Sequence, residues 1–134
     1  MFIRPFDKKS DMALLKTISD GHALPEMQAA MLSDFGIIVF NDSGPIVFGW
    51  LYPTISSNLC IIENIIKNPN YKLDVTDAIN LLFEELHFIA KTLGYKFIRM
   101  SIENTSMKNR VEKLGYMKTE ENVTNYMGSL LCLG

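Results

Sequence analysis

The chain has 134 residues, the size of one domain, and its 48% hydrophobic and 21% charged composition excludes a disordered or collagen-like protein. Thirteen Lys and Arg against fifteen Asp and Glu give a net charge of −2, and this lack of a basic excess argues against a nucleic-acid partner. Cys60, Cys132 and two distant histidines are too few for a disulfide framework or a Cys-rich zinc site, so no metal centre is expected.

The first half of the chain contains four predicted strands and two predicted helices before the longest helix begins. A short strand over residues 2–4 is ended by Pro5, and a helix capped by Ser10 or Asp7 follows and continues through Ser19. Residues 26–34 predict a second, short helix. The apolar runs 36–40 and 46–52 flank an Asx/Gly turn and predict a β-hairpin. Residues 59–66 are apolar almost throughout, as in a strand covered on both faces.

The second half begins with the clearest helix, over residues 75–93, whose apolar side chains form one stripe that ends at Gly94. A strand over residues 97–102 follows, then a helix over residues 106–114 stopped by Gly115, then one or two final strands. This order predicts an α/β domain, layered in the α+β manner, with helices on both faces of a mixed sheet.

The loop before the long helix is a candidate anion site, because helix N-termini present unpaired N–H groups. It carries Lys67 and Lys72 but no glycine, which a phosphate-cradling loop normally needs. Asp74 and Asp77 have a simpler interpretation, in which Asp74 caps the helix and Asp77 complements its positive end. Both interpretations stay open at this point.

Two segments resemble a known family. Residues 63–72, Glu-Asn-Ile-Ile-Lys-Asn-Pro-Asn-Tyr-Lys, resemble the strand and loop that lead into the acetyl-CoA site of the GNAT N-acetyltransferases. Residues 104–106, Asn-Thr-Ser, followed by Leu114, Gly115 and Tyr116, are similar to the family's segment around its fourth helix. The resemblance implies a single GNAT-like domain over residues 1–134, with six or seven mostly antiparallel strands and about four helices. It also implies acetyl-CoA as cofactor and a small-molecule or peptide amine as acceptor.

The resemblance assigns roles residue by residue. Glu63 stands where a carboxylate acts as general base. The implied cofactor-binding residues are the main-chain groups of the fourth strand, the loop and first helical turn, and one residue after the fifth strand: Ile65, Ile66, Lys67, Lys72, Leu73, Asp74, Val75, Thr76, Asp77 and Asn104. Glu63 is equally well explained as a solvated strand residue, and Asn104 as a helix N-cap.

Three residues depart from the family pattern. Val75 and Asp77 occupy positions where the family has small residues against the CoA pyrophosphate, and Val111 occupies the position of its general-acid Tyr. Two hypotheses therefore stand side by side: an acyl-CoA-dependent N-acetyltransferase, and a non-catalytic GNAT-like interaction module similar to virion-associated proteins of short-tailed phages. A slot between the fourth and fifth strands would favour the enzyme.

Both ends of the chain carry a further expectation. The N-terminal segment is charged where a signal peptide is apolar, and no apolar run is long enough to span a bilayer, so a cytoplasmic protein without a membrane partner is expected. At the other end, Leu130, Leu131 and Leu133 are too apolar to lie free in solvent. They predict pairing into the sheet as an edge strand, with a homodimer contact as the alternative.

Overall fold

The computed structural model describes residues 1–20, 29–102, 104–126 and 128. Contacts divide the chain into two units, Met1–Ser101 and Ile102–Gly134, which are described separately below. The helices and strands, in chain order, are β1 (Phe2–Pro5), α1 (Met12–Asp20), β2 (Phe35–Asn41), β3 (Gly44–Tyr52), β4 (Leu59–Lys67), α2 (Thr76–Thr92), β5 (Phe97–Arg99) and α3 (Thr105–Lys113).

The strands form one sheet in the order β1-β2-β3-β4-β5. The first three pairings are antiparallel and the β4–β5 pairing is parallel, which confirms the mixed, mostly antiparallel α/β class. The described residues contain five strands and three α-helices, fewer than expected. One cause is visible: residues 117–126 form no strand, and β5 is also shorter than predicted, ending at Arg99 instead of residue 102. The predicted pairing of Leu130, Leu131 and Leu133 lies outside the described residues.

Helices cover both faces of the sheet, as the order of elements predicts. Phe48 and Trp50 of β3 are fully buried in a cluster with Leu15 and Ile18 of α1, and this side is called the α1 face. Gly49, between them, points to the opposite side, where a Cβ atom would lie 3.0 Å from Leu82 of α2. Because successive strand residues point to opposite faces, these contacts place α1 and α2 on opposite layers.

The start of α1 is held by a residue other than the predicted caps. Asp11, directly before the helix and only 5% exposed, accepts hydrogen bonds from both guanidinium nitrogens of Arg4, at 2.7 and 2.9 Å. It also accepts the backbone N–H of Asp7 at 2.8 Å. The Arg4 guanidinium holds the pKa of this carboxyl below its usual range, against the opposing effect of burial. Asp11 therefore ties β1 to the first turn of α1.

The short helix expected over residues 26–34 is wrong in its described part. Residues 29–31 form a single turn of 3-10 helix (Ala29–Met31), and Ser33 then directs its hydroxyl to the carbonyl of Leu51. That hydroxyl also accepts the backbone N–H of Phe35 at 2.9 Å. The side chain of Ser33 thus closes a turn into β2, which replaces the last helical turn. Residues 21–28 lie outside the described residues.

The ends of α2 and α3 confirm the predicted glycine stops. Gly94 has a φ of 89° and Gly115 a φ of 105°, a conformation that favours glycine. The N–H groups of Tyr95 and Tyr116, one residue further on, bond back to the carbonyls of Ala90 and Val111, each at 3.0 Å. Both helices therefore end in a Schellman motif.

Candidate functional site

The site begins where β4 and β5 part. Their ladder joins three residue pairs among the described residues, from Leu59 opposite Phe97 to Ile61 opposite Arg99. β5 ends there, whereas β4 continues for six residues to Lys67, paired on its other side with β3. The outer edge of β4 from Ile62 to Lys67 thus extends past the end of β5. The slot between these strands that would favour the enzyme hypothesis stays a prediction.

A β-bulge lies in the same half of β4. Phe48 pairs with Ile66 and Trp50 with Glu63, so Gly49 alone faces two residues, Asn64 and Ile65. Asn64 has a φ of 59°, in the left-handed region that Asn tolerates better than most residues. The extra residue breaks the usual alternation of side chains and puts Glu63 and Asn64 on the same face, as the next contacts show.

Glu63, Asn64 and Tyr52 meet on the α1 face. Glu63 is opposite the buried Trp50 and therefore diagonal to Tyr52. The Nδ2 group of Asn64 donates a hydrogen bond to the Tyr52 hydroxyl at 2.7 Å. Burial raises the pKa of Tyr52, and the nearby negative charge of Glu63 adds to the rise. Glu63 itself is exposed, so its carboxylate is accessible to a substrate on this face.

An open cleft of about 350 Å³ adjoins this group. Its walls come from the segment before β2 and from the end of β3, and Tyr52 is part of its lining, with Ser33, Asp34, Phe35, Pro53 and Lys8. The ammonium group of Lys8 lies 3.0 Å from a carboxylate oxygen of Asp34. We call this space the acceptor cleft. It places the Tyr52 hydroxyl on the wall of a cavity large enough for a small molecule, and Glu63 is diagonal to Tyr52 on the neighbouring strand.

The main-chain segment expected to hold a pantetheine arm lies on the diverging half of β4. Ile66 is buried on the α1 face opposite Phe48, Ile65 belongs to the bulge, and Lys67 is an exposed residue opposite Val47. The register of the sheet therefore fixes the direction of their side chains, and their main chain lies along the edge of β4. Binding of a cofactor at these three residues stays a prediction.

The loop after β4 is held firmly at its start. The N–H of Asn68 bonds to the carbonyl of Ile46 at 2.8 Å, and its side-chain Nδ2 bonds to the carbonyl of Pro45 at 2.8 Å. Its Oδ1 accepts the N–H of Asn70 at 3.0 Å, which forms an Asx turn. Asn68 therefore fixes the direction in which the chain leaves the sheet for α2.

The first turn of α2 carries carboxylates where the resemblance implies a CoA pyrophosphate. Val75 is buried, so its side chain is directed into the core and not over the helix end, as its branched shape had suggested. Asp74 accepts both the N–H and the hydroxyl of Thr76, at 2.9 and 2.7 Å, but the N-cap residue is Val75, so Asp74 stabilises the first turn from one residue before the cap and is not itself the predicted cap. Asp77 is exposed in the first turn, and the exposed Lys72 and Leu73 precede it. Two carboxylates thus stand where an anion would bind.

Asn104 and Val111 belong to the second unit. The Oδ1 atom of Asn104 accepts the N–H of Met107 at 3.0 Å, so Asn104 is the N-cap of α3. Val111 is the buried residue of that helix. The N-cap interpretation is confirmed, and a role of Asn104 toward a cofactor stays a prediction.

Tyr52 and Asn64 are the site residues to which the sequence analysis assigns no catalytic or binding role. Asn64 carried a signal, because an Asn inside an apolar strand is a common marker of left-handed backbone. Tyr52 carried none beyond its place in a hydrophobic run. Among the residues that the structure describes, no group of three or more metal-ligating side chains occurs. Within the same residues, every helix is too short or too polar to cross a membrane.

This architecture is the GNAT fold. Solved structures with it include the ribosomal-protein-S18-alanine N-acetyltransferase of Escherichia coli, with a TM-score of 0.72 and 15% identity over 89% of this chain and 79% of that one. Rv2747 of Mycobacterium tuberculosis, solved in complex with CoA, matches with a TM-score of 0.71 and 17% identity over 92% and 76%. The glucosamine-6-phosphate N-acetyltransferase of Arabidopsis thaliana matches with a TM-score of 0.69 and 11% identity over 95% and 98%.

By sequence, no family model and no curated protein matches the chain. The assignment of the GNAT fold therefore depends on the structural matches, which include N-acetyltransferases. The site residues described above are those of this chain and are not transferred from its neighbours.

Proposed function

We propose that the protein is an acyl-CoA-dependent N-acetyltransferase that transfers the acetyl group of acetyl-CoA to an amine. The observation that carries this proposal is the end of the β4–β5 pairing after Ile61 and Arg99, combined with the bulge at Asn64. Together they leave a strand edge along which a pantetheine arm can form main-chain hydrogen bonds. Such bonds do not depend on side-chain identity, so the departures from the family pattern do not remove them.

The residues of the site allow one direct chemical step. The nitrogen lone pair of the amine attacks the thioester carbonyl carbon, a C–N bond forms, and the C–S bond breaks as CoA leaves as a thiolate. Glu63, exposed on the α1 face and diagonal to Tyr52, takes the proton that the amine loses, directly or through a water. The thiolate takes its proton from solvent, since Val111 stands where the family has its Tyr.

The donor half of the proposal is tested by calorimetric titration of the full chain with acetyl-CoA and with CoA. Binding at micromolar to high-micromolar concentration is expected for both ligands. Absence of heat at high-micromolar ligand would refute the proposal. The acceptor half is tested by following thiol release from acetyl-CoA in the presence of primary amines.

A non-catalytic GNAT-like module is the second candidate function. It is favoured by the Asp74 carboxylate, which already accepts the N–H and hydroxyl of Thr76 at the helix end where a phosphate would bind. In this case the chain would bind no CoA and would instead associate with another macromolecule. Measured turnover of any amine would exclude this candidate.

A further inference from the structure

Tyr52 places a hydroxyl group on the wall of the acceptor cleft, where one donor is directed at its oxygen. The Nδ2 group of Asn64 donates a hydrogen bond to this oxygen at 2.7 Å. A phenolic oxygen has two lone pairs and one proton. Because Asn64 already donates to the oxygen, the hydroxyl keeps its own proton available for donation to another group.

That proton is held only weakly among the described residues. The hydroxyl donates to the carbonyl of Met31 at 3.3 Å, well beyond the usual 2.7–2.8 Å of an O–H···O bond. A better acceptor that entered the cleft would therefore replace this contact at little cost. Met31 and Tyr52 both line the cleft, so the replacement would take place inside it.

We propose that Tyr52 is a specificity-determining residue of the acceptor site, whose hydroxyl donates a hydrogen bond to an oxygen carried next to the acceptor amine. This inference rests on the function proposed above. The expected substrate class is a primary amine with a carbonyl or hydroxyl oxygen on a neighbouring carbon, in preference to a plain alkylamine or polyamine. Glu63, diagonal to Tyr52 on the same face, would then accept the proton of the amine, while the Tyr52 hydroxyl donates a hydrogen bond to the neighbouring oxygen.

The size of the preference follows from one hydrogen bond between neutral groups. Such a bond changes an equilibrium or a rate by about 3–10-fold when one partner is removed. A substrate without the oxygen loses this factor because the Tyr52 hydroxyl keeps only its long contact with Met31. The same factor disappears when the hydroxyl is removed from the protein.

The test is a cycle of two amines and two proteins. Acetyl transfer to ethanolamine and to propylamine is measured as kcat/KM with the wild-type chain and with Tyr52→Phe, at fixed, saturating acetyl-CoA. Each amine is compared in both proteins, so differences in its own basicity cancel. The wild type should prefer ethanolamine by about 3–10-fold more than Tyr52→Phe does, with the KM for acetyl-CoA unchanged.

Two further variants keep the result interpretable. Asn64→Gly retains the left-handed backbone but removes one donor from the Tyr52 oxygen, and it should reduce the preference in part. Tyr126→Phe removes a hydroxyl from a residue that is 92% exposed, and it should leave the preference unchanged. Thermal unfolding of each variant shows whether it is folded.

The outcomes separate the two proposals. Equal loss of activity toward both amines in Tyr52→Phe would mean a structural role and would overturn the specificity proposal, while the acetyltransferase proposal stands. Binding of acetyl-CoA with no transfer to ethanolamine would also overturn the specificity proposal. Absence of acetyl-CoA binding would overturn the proposed function and this inference with it.

Discussion

Replacing Asp77 by Asn should tighten the binding of CoA, because it removes a like charge from the first turn of α2. A pyrophosphate seated over that turn would lie about one helical pitch, ~6 Å, from the carboxylate. Each pair of unit charges at that distance in water repels by about 0.7 kcal/mol, so two phosphate charges give ~1.4 kcal/mol. Screening at 0.15 M salt, with a Debye length of about 8 Å, reduces this to ~0.7 kcal/mol, or about 3-fold in Kd.

The salt dependence makes this prediction specific. At 0.01 M salt the Debye length is about 30 Å, and the gain should rise to ~1.1 kcal/mol, or about 7-fold. The same substitution should lower the free energy of unfolding by about 0.3–1 kcal/mol, because an acidic residue at a helix N-terminus stabilises the helix. Tighter binding and lower stability are thus expected together.

The assay is calorimetric titration with CoA at both salt concentrations. Asp42→Asn is the matched control, since Asp42 is an exposed carboxylate in the turn between β2 and β3 and its loss changes the net charge equally. Equal effects of the two substitutions would show that only the net charge matters. Weaker binding of Asp77→Asn, or a gain that does not depend on salt, would show that the anion lies elsewhere.

Three further predictions concern the base, the core and the start of α1. Glu63→Gln should lower acetyl transfer by about 10²-fold with little change in CoA affinity, and equal turnover would leave Glu63 without a catalytic role. Gly36→Ala should destabilise by about 3 kcal/mol in urea unfolding followed by circular dichroism, because its Cβ would lie 2.3 Å from Trp50 Nε1; a cost under ~1 kcal/mol would contradict this packing. The pKa of Asp11 is lowered by its bonds to Arg4, so its contribution to stability is present above pH ~4 and is lost as the pH falls below that value. Asp11→Asn should cost about 1–3 kcal/mol at pH 7 and less near pH 2, and a pH-independent cost would refute the ion-pair explanation.

The sequence predicts well the elements that local patterns determine. The predicted bounds of the β2–β3 hairpin and of α2 agree with the observed bounds to within a few residues. Turn residues and a 3.6-residue apolar period are local patterns, so the sequence alone contains them. The bulge in β4 could not be placed in this way, since it depends on which residue of β3 each residue of β4 opposes. The orientation of Val75 likewise follows from packing against other elements and not from its neighbours in sequence.

The site was predictable to the same extent. Glu63 and the first turn of α2 are candidates through the family resemblance, and the structure retains the order of strand, loop and helix on which it depends, while their roles stay predictions. The contact between Asn64 and Tyr52 joins residues twelve positions apart on adjacent strands, and only the register of the sheet brings them together. The role of Asp11 was missed because its partner, Arg4, reaches it from β1, and a partly buried ion pair has no periodic signal.

The complete burial of Trp50 has a spectroscopic consequence. It is the one tryptophan of the chain, it is stacked on Phe48 with ring centroids 6.2 Å apart, and it lies in the first unit, Met1–Ser101. Intrinsic fluorescence excited at the indole band should therefore be blue-shifted, resistant to acrylamide quenching, and sensitive to the unfolding of that unit alone. Loss of helical circular dichroism from α3 before any change in this emission would reveal that residues 102–134 unfold separately.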